Sequence, residues 1–169
     1  MEPKTPQVAS ITKPARTEAF RIRRGLETAF GGPSWHGPSL MENLKGVSAE
    51  IAAANHVPHA HSIWEIVNHL LAWQNEVAAG LDGKSYVTLS GDADWPPVID
   101  KTQAAWDATV KELAASHERL CDKISGLSDD QLRAKVEGKD WDLRVVLRGI
   151  ASHSLYHAGQ IGLLKRAAQ

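Results

Sequence analysis

The 169-residue chain has one cysteine, almost no net charge and no long apolar run. Each shortage excludes something. A single thiol, Cys121, leaves no disulfide within the chain, so a reducing compartment is expected. With no histidine read as its local partner, Cys121 is taken for a small core or boundary residue rather than a nucleophile. The formal net charge is -1. The one basic cluster, Arg21, Arg23 and Arg24, is interleaved with apolar residues and reads as a solvated helix face, which argues against a nucleic-acid partner. No stretch approaches the roughly 20 apolar residues of a membrane span. The chain does not open on a charged segment followed by an apolar core, the mark of a signal peptide. The expected location is therefore the cytoplasm, with no membrane partner. Alternating strand patterns are almost absent, and no internal repeat stands out.

What the chain does have is apolar content and histidine. Hydrophobic residues make up 43% of it, enough to form a core without support from metal or disulfides. Residues 1–14 are polar and carry Pro3, Pro6 and Pro14, which predicts a loose arm. Residues 15–169 read as one domain of ordinary size. The helix signals begin at Ala15, run through Phe20, Ile22, Leu26 and Phe30, and stop at Gly31-Gly32-Pro33. Brief helical turns are predicted from Ser39 to Leu44 and from Ser48 to Ala54. Ser62-Ile63-Trp64-Glu65 is a capping box that opens a strong helix, in which Ile66, Val67, Leu70, Val77 and Leu81 keep the 3.6-residue period. Residues 82–98 form a long polar connection, and a connection of that length has a task, either crossing the helices or covering a site. A further helix is predicted from about Asp100 to Ile124, a short capped one at Ser128–Leu132, and a last one from about Leu143 to Arg166. Four long helices with short helical pieces between them give an all-α fold, a four-helix bundle.

Eight histidines occur, at 36, 56, 59, 61, 69, 117, 153 and 157. His153 and His157 stand one turn apart on the same helical face. They share a stripe with Val146, Ile150, Gln160 and Leu164, so both point inward. His69 lies on a similar stripe with Ile66, Trp73 and Val77. A single histidine so placed is ordinarily a hydrogen-bonded core residue. Three interior imidazoles on two helices are costly to bury unless each has a partner. One divalent metal ion would satisfy all three and keep an open coordination position. Ser154 stands where a protease motif of the His-Glu-x-x-His type needs glutamate, which disfavours a metalloprotease.

The segment His153-Ser154-Leu155-Tyr156-His157-Ala158-Gly159-Gln160-Ile161 resembles the His-x-x-Tyr-His-x-Gly-Gln-Ile signature of the DinB-like (YfiT-type) metalloenzymes. Residues 62–73, Ser-Ile-Trp-Glu-Ile-Val-Asn-His-Leu-Leu-Ala-Trp, resemble that family's second-helix motif, and Trp35-His36-Gly37-Pro38-Ser39-Leu40 resembles a stretch found in one of its branches. The similarity extends over roughly residues 16–167. It implies a four-helix bundle with a three-histidine metal site, and the ligands carried over are His69, His153 and His157. The implied cofactor is a divalent metal ion, zinc or nickel ahead of iron or manganese. Relatives in the family include thiol S-transferases and a thiol-dependent isomerase. The resemblance thus implies a small-molecule substrate, a low-molecular-weight thiol among the candidates, and a homodimer. Metal-dependent hydrolysis and a non-catalytic, metal-binding stress response are the alternatives.

The remaining candidates have less behind them. His36, fixed between Gly-Gly-Pro and Gly-Pro, is a candidate catalytic proton carrier or substrate contact. Trp35 reads as a packing residue. His56 and His59 read as solvent-exposed loop residues, His61 as packing beside the N-cap, and His117, between charged neighbours, as surface. Gln160 is placed to accept a hydrogen bond from a ligand imidazole or to touch substrate, Tyr156 to orient a bound group or to pack. Asp94 and Trp95 are candidates to lie over the site mouth.

Overall fold

A computed structural model describes residues 17–168. The expected arm at residues 1–14 lies outside the described residues. Among these, the chain is helical, with no strand: α1 (Glu18–Gly31), α2 (Leu40–Leu44), α3 (Ala49–Ala53), α4 (Ile63–Leu81), α5 (Gln103–Ser125), α6 (Asp129–Arg133) and α7 (Leu143–Ala167). The all-α expectation is met.

Each helix begins where the sequence supplies a capping oxygen. Thr17, Ser39, Ser48, Ser62, Thr102, Ser128 and Asp142 each accept a hydrogen bond from a backbone N–H three residues on. Such caps satisfy first-turn amides that have no partner within the helix. The four long helices pack in a closed ring, α1 on α5, α5 on α4, α4 on α7 and α7 on α1.

The core has two parts. One gathers Leu40, Ile63, Trp64, Leu70, Trp106, Leu113 and Ile161. The other gathers Ile22, Leu26, Val77, Leu120, Ile124, Leu147 and Ile150. Along α4 the first part holds Ile66 and Leu70 and the second holds Val77. Along α7 the second holds Ile150 and the first holds Ala158 and Ile161. His69, His153 and His157 fall at this seam.

The long connection between α4 and α5 has the task its length suggests. It runs back along α4, tied at successive turns of one face. Gly80 seats the Tyr86 ring so closely that a Cβ there would lie 2.3 Å from it. The amide of Val87 donates to Glu76 (2.6 Å), the indole of Trp73 to Asp94 (2.7 Å), and the side-chain amide of Asn68 to the Pro96 carbonyl (3.1 Å). Ser85 also bonds Glu137, joining the strap to the turn before α7. These ties carry Asp94 and Trp95 to the seam between α4 and α7.

Two readings made from local sequence are corrected. His117 is buried, at 7% exposure, with its ring stacked on Phe30 at 3.9 Å. Its charged neighbours Glu118 and Arg119 project from other faces of α5, whereas residues at three- and four-residue spacing, Leu113, Leu120 and Ile124, share its buried face. Trp35 packs against little, since 96% of it is exposed.

Candidate metal centre

His69 from α4 and His153 and His157 from α7 converge. The Nε2 atoms of His69 and His157 each lie 2.9 Å from Nε2 of His153. One ring nitrogen from each of the three falls within 4.8 Å of the other two. Nitrogens that share one tetrahedral zinc stand roughly 3.3 Å apart, given bonds of about 2.0–2.1 Å. The trio therefore needs only slight spreading to hold such an ion.

The proton count points the same way. Nδ1 of His69 lies 2.8 Å from the Asp94 carbonyl oxygen and 3.0 Å from the Asp94 carboxylate. Neither oxygen can donate to it, so this nitrogen carries the proton. Nδ1 of His157 lies 2.6 Å from Oε1 of Gln160, whose amide nitrogen donates to the Tyr156 hydroxyl at 3.1 Å. This nitrogen also carries its proton. In the neutral rings, both Nε2 atoms are then lone pairs aimed at the same nitrogen of His153. That nitrogen holds at most one proton, so one buried lone pair is left without a donor. A cation at the centre satisfies all three at once.

The two rings on α7 are held neutral. Burial lowers the pKa of His153 to about 4, with further lowering from His157 and His69 and opposition from Asp94. Burial likewise brings His157 to about 4, partly offset by its bond to Gln160. Neutral imidazole is the form that binds metal.

A second set of groups fixes the first. Asp94 grips His69 through both its carbonyl and its carboxylate, and the carboxylate also accepts from Trp73. The Trp95 ring stacks on His69 at 4.0 Å on one side and on His61 at 3.6 Å on the other. His69 is thus held at its edge and across its face. Truncating a partner of this kind ordinarily weakens metal binding 10- to 100-fold. Asp94→Ala should show a loss of that size in a zinc competition assay; an unchanged Kd would show that the grip is incidental.

Two of the three, His69 and His153, line a cleft of about 610 Å³ together with Trp73, Tyr86, Trp141 and Ile150. His36 does not join them. It lines a separate cleft of about 300 Å³ with Leu155, Gly159 and Arg166. His56, expected to be exposed, is half-buried because its ring bonds the Ile51 carbonyl at 2.9 Å, whereas His59 is exposed as expected. His61 reaches the site through its stack on Trp95. Tyr156 is 64% exposed, yet its ring stands edge-on to His157 at 4.9 Å and its hydroxyl accepts from Gln160. Cys121 does have a histidine neighbour after all, His117 Nε2 at 3.4 Å. Burial pushes the thiol up to about 11 and the imidazole down to about 4, so the pair stays neutral and lacks the thiolate a nucleophile requires.

A sequence model of the DinB superfamily matches residues 35–161, well over half of the chain. The chain belongs to the DinB superfamily. Searches of curated proteins and of solved structures return no match. No helix among the described residues is long and apolar enough to cross a membrane.

Proposed function

We propose that the protein is a metal-dependent enzyme that uses His69, His153 and His157 to hold one divalent ion, zinc or nickel ahead of iron or manganese, and that it transfers a low-molecular-weight thiol to an electrophile. The observation that carries this reading is the convergence of three imidazoles, two of them oriented through Nδ1 by carbonyl oxygens. A divalent ion bound there supplies a Lewis acid that lowers the pKa of a coordinated thiol or water.

The chain's own residues favour a thiol over water. Hydrolysis is served by a free carboxylate that moves protons beside the metal. The two carboxylates lining the cleft are occupied, Asp94 by Trp73 and His69 and Glu76 by the Val87 amide. The walls of the cleft are mostly aromatic and branched aliphatic. They exclude water from a nucleophile and suit an electrophile with an apolar body. Trp95 and Asp94 hold His69 still, and Gln160 holds His157.

The test is a screen of physiological thiols against a panel of electrophiles, using zinc- and nickel-loaded protein. Conjugation that needs the metal and is lost in His153→Ala is the expected result. Metal-dependent ester or amide hydrolysis without any thiol requirement would overturn the transferase reading.

A further inference from the structure

The cleft beside the three histidines is lined by a cation that no carboxylate pairs among the described residues. Three residues other than histidine bring formal charge to its lining: Glu76, Asp94 and Lys139. Glu76 accepts from the Val87 amide, and Asp94 accepts from Trp73 and lies beside His69. Lys139 forms no ion pair among the described residues. It stands in the turn before α7, with its ammonium 5.9 Å from the Trp141 ring. Most of the other lining residues are aromatic or branched aliphatic. The volume, about 610 Å³, falls within the range of small-molecule sites, roughly 300–1,000 Å³.

We infer that the cleft takes a small organic carboxylate with an apolar or aromatic body, its carboxylate at Lys139 and its body against Trp73, Tyr86 and Trp141. This rests on the metal-enzyme reading in one respect: a bound divalent ion balances Glu76 and Asp94 and leaves Lys139 as the uncompensated charge. An ammonium at the rim of the cleft selects an anion, and the aromatic walls select what is attached to it. A cationic ligand would meet Lys139 and the metal with like charge. An uncharged apolar ligand would leave the lysine idle.

The probes are 4-phenylbutyrate and its uncharged counterpart 4-phenylbutan-1-ol, titrated calorimetrically into zinc-loaded protein. The acid should bind about tenfold more tightly, the ratio expected for one charge-assisted hydrogen bond. Lys139→Met, at an exposed turn position, should remove most of that preference while leaving alcohol affinity and zinc stoichiometry unchanged. Gly149→Phe should block both probes. Gly149 lines the cleft on α7, and a Cβ there meets no atom within 4 Å, so the ring fills the cleft without disturbing the helix. Equal affinities, a preference that survives Lys139→Met because the anion sits on the metal, or binding undiminished by Gly149→Phe would each overturn the proposal. If the wild-type protein takes up no zinc, the metal reading has failed by itself. The same titrations in metal-free protein then decide the cleft: a preference reduced by the unbalanced Glu76 and Asp94 but still dependent on Lys139 supports it, and its absence overturns it.

Discussion

Replacing His153 by alanine should weaken zinc binding on the order of a thousandfold, close to what one ligand contributes to a site whose whole binding free energy is about 10–16 kcal/mol. His153 is the residue to remove first, because its Nε2 lies 2.9 Å from those of both other histidines. His69→Ala and His157→Ala should fall in the same range. His56→Ala should leave affinity untouched, because His56 is bonded to Ile51 and lies outside the trio. The measurement is a competition titration against a chromophoric chelator. If His56→Ala lost the metal while His153→Ala kept it, the site would have to be redrawn.

The second large effect is on stability in acid. Burial depresses His117, His153 and His157 to about 4, well below the ordinary 6.5. The sign follows from proton linkage. Above pH 6.5 these imidazoles are neutral in both the folded and the unfolded chain, so they carry no pH-dependent penalty. Between 6.5 and 4 the unfolded chain takes up protons that the folded one refuses, and stability falls as pH falls. Three such groups together can remove several kcal/mol, a large part of the 5–15 kcal/mol that holds an ordinary domain folded. Metal-free protein should therefore unfold cooperatively between pH 6.5 and 4. His117→Leu should lose about 2 kcal/mol less than wild type between pH 7 and pH 5, as read by urea titration at both pH values. An equal loss in the two proteins would mean that His117 is protonated in the fold. Saturating zinc at pH 7 should add stability, about 2.7 kcal/mol at a hundred times its Kd. That gain should vanish in acid, where protons compete for the same imidazoles.

Much of this was legible in residue order. The Ser62–Glu65 capping box set the start of α4, and therefore the turn on which His69 stands. The stripe of Val146, Ile150, His153, His157 and Leu164 put two imidazoles on the inner face of α7. Periodicity works there because each helix repeats one environment every three or four residues. The reading of His117 failed when neighbours along the chain were weighed instead of neighbours along the face. Leu113 and Leu120 would have placed it in the core. The strap of residues 82–98 has no period to read. Its path is set by contacts reaching across the fold to Asn68, Trp73, Glu76 and Gly80, and spacing along the chain encodes none of them. For that reason the grip of Asp94 on His69, the Trp95 sandwich and the cleft that reaches Lys139 emerge only in three dimensions. Gln160 is the exception. Placed one turn beyond His157 on an inward stripe, it was legible as a partner for a ligand imidazole, and it fills that place at 2.6 Å.

X-ray absorption at the zinc edge, on protein purified without a histidine tag and loaded with one equivalent of zinc, tests the central claim most directly. The account predicts three imidazole nitrogens at about 2.0 Å and a further light donor, with one imidazole fewer in His153→Ala. A zinc shell without imidazole, or one that stays the same when His69, His153 and His157 are all replaced, would contradict it.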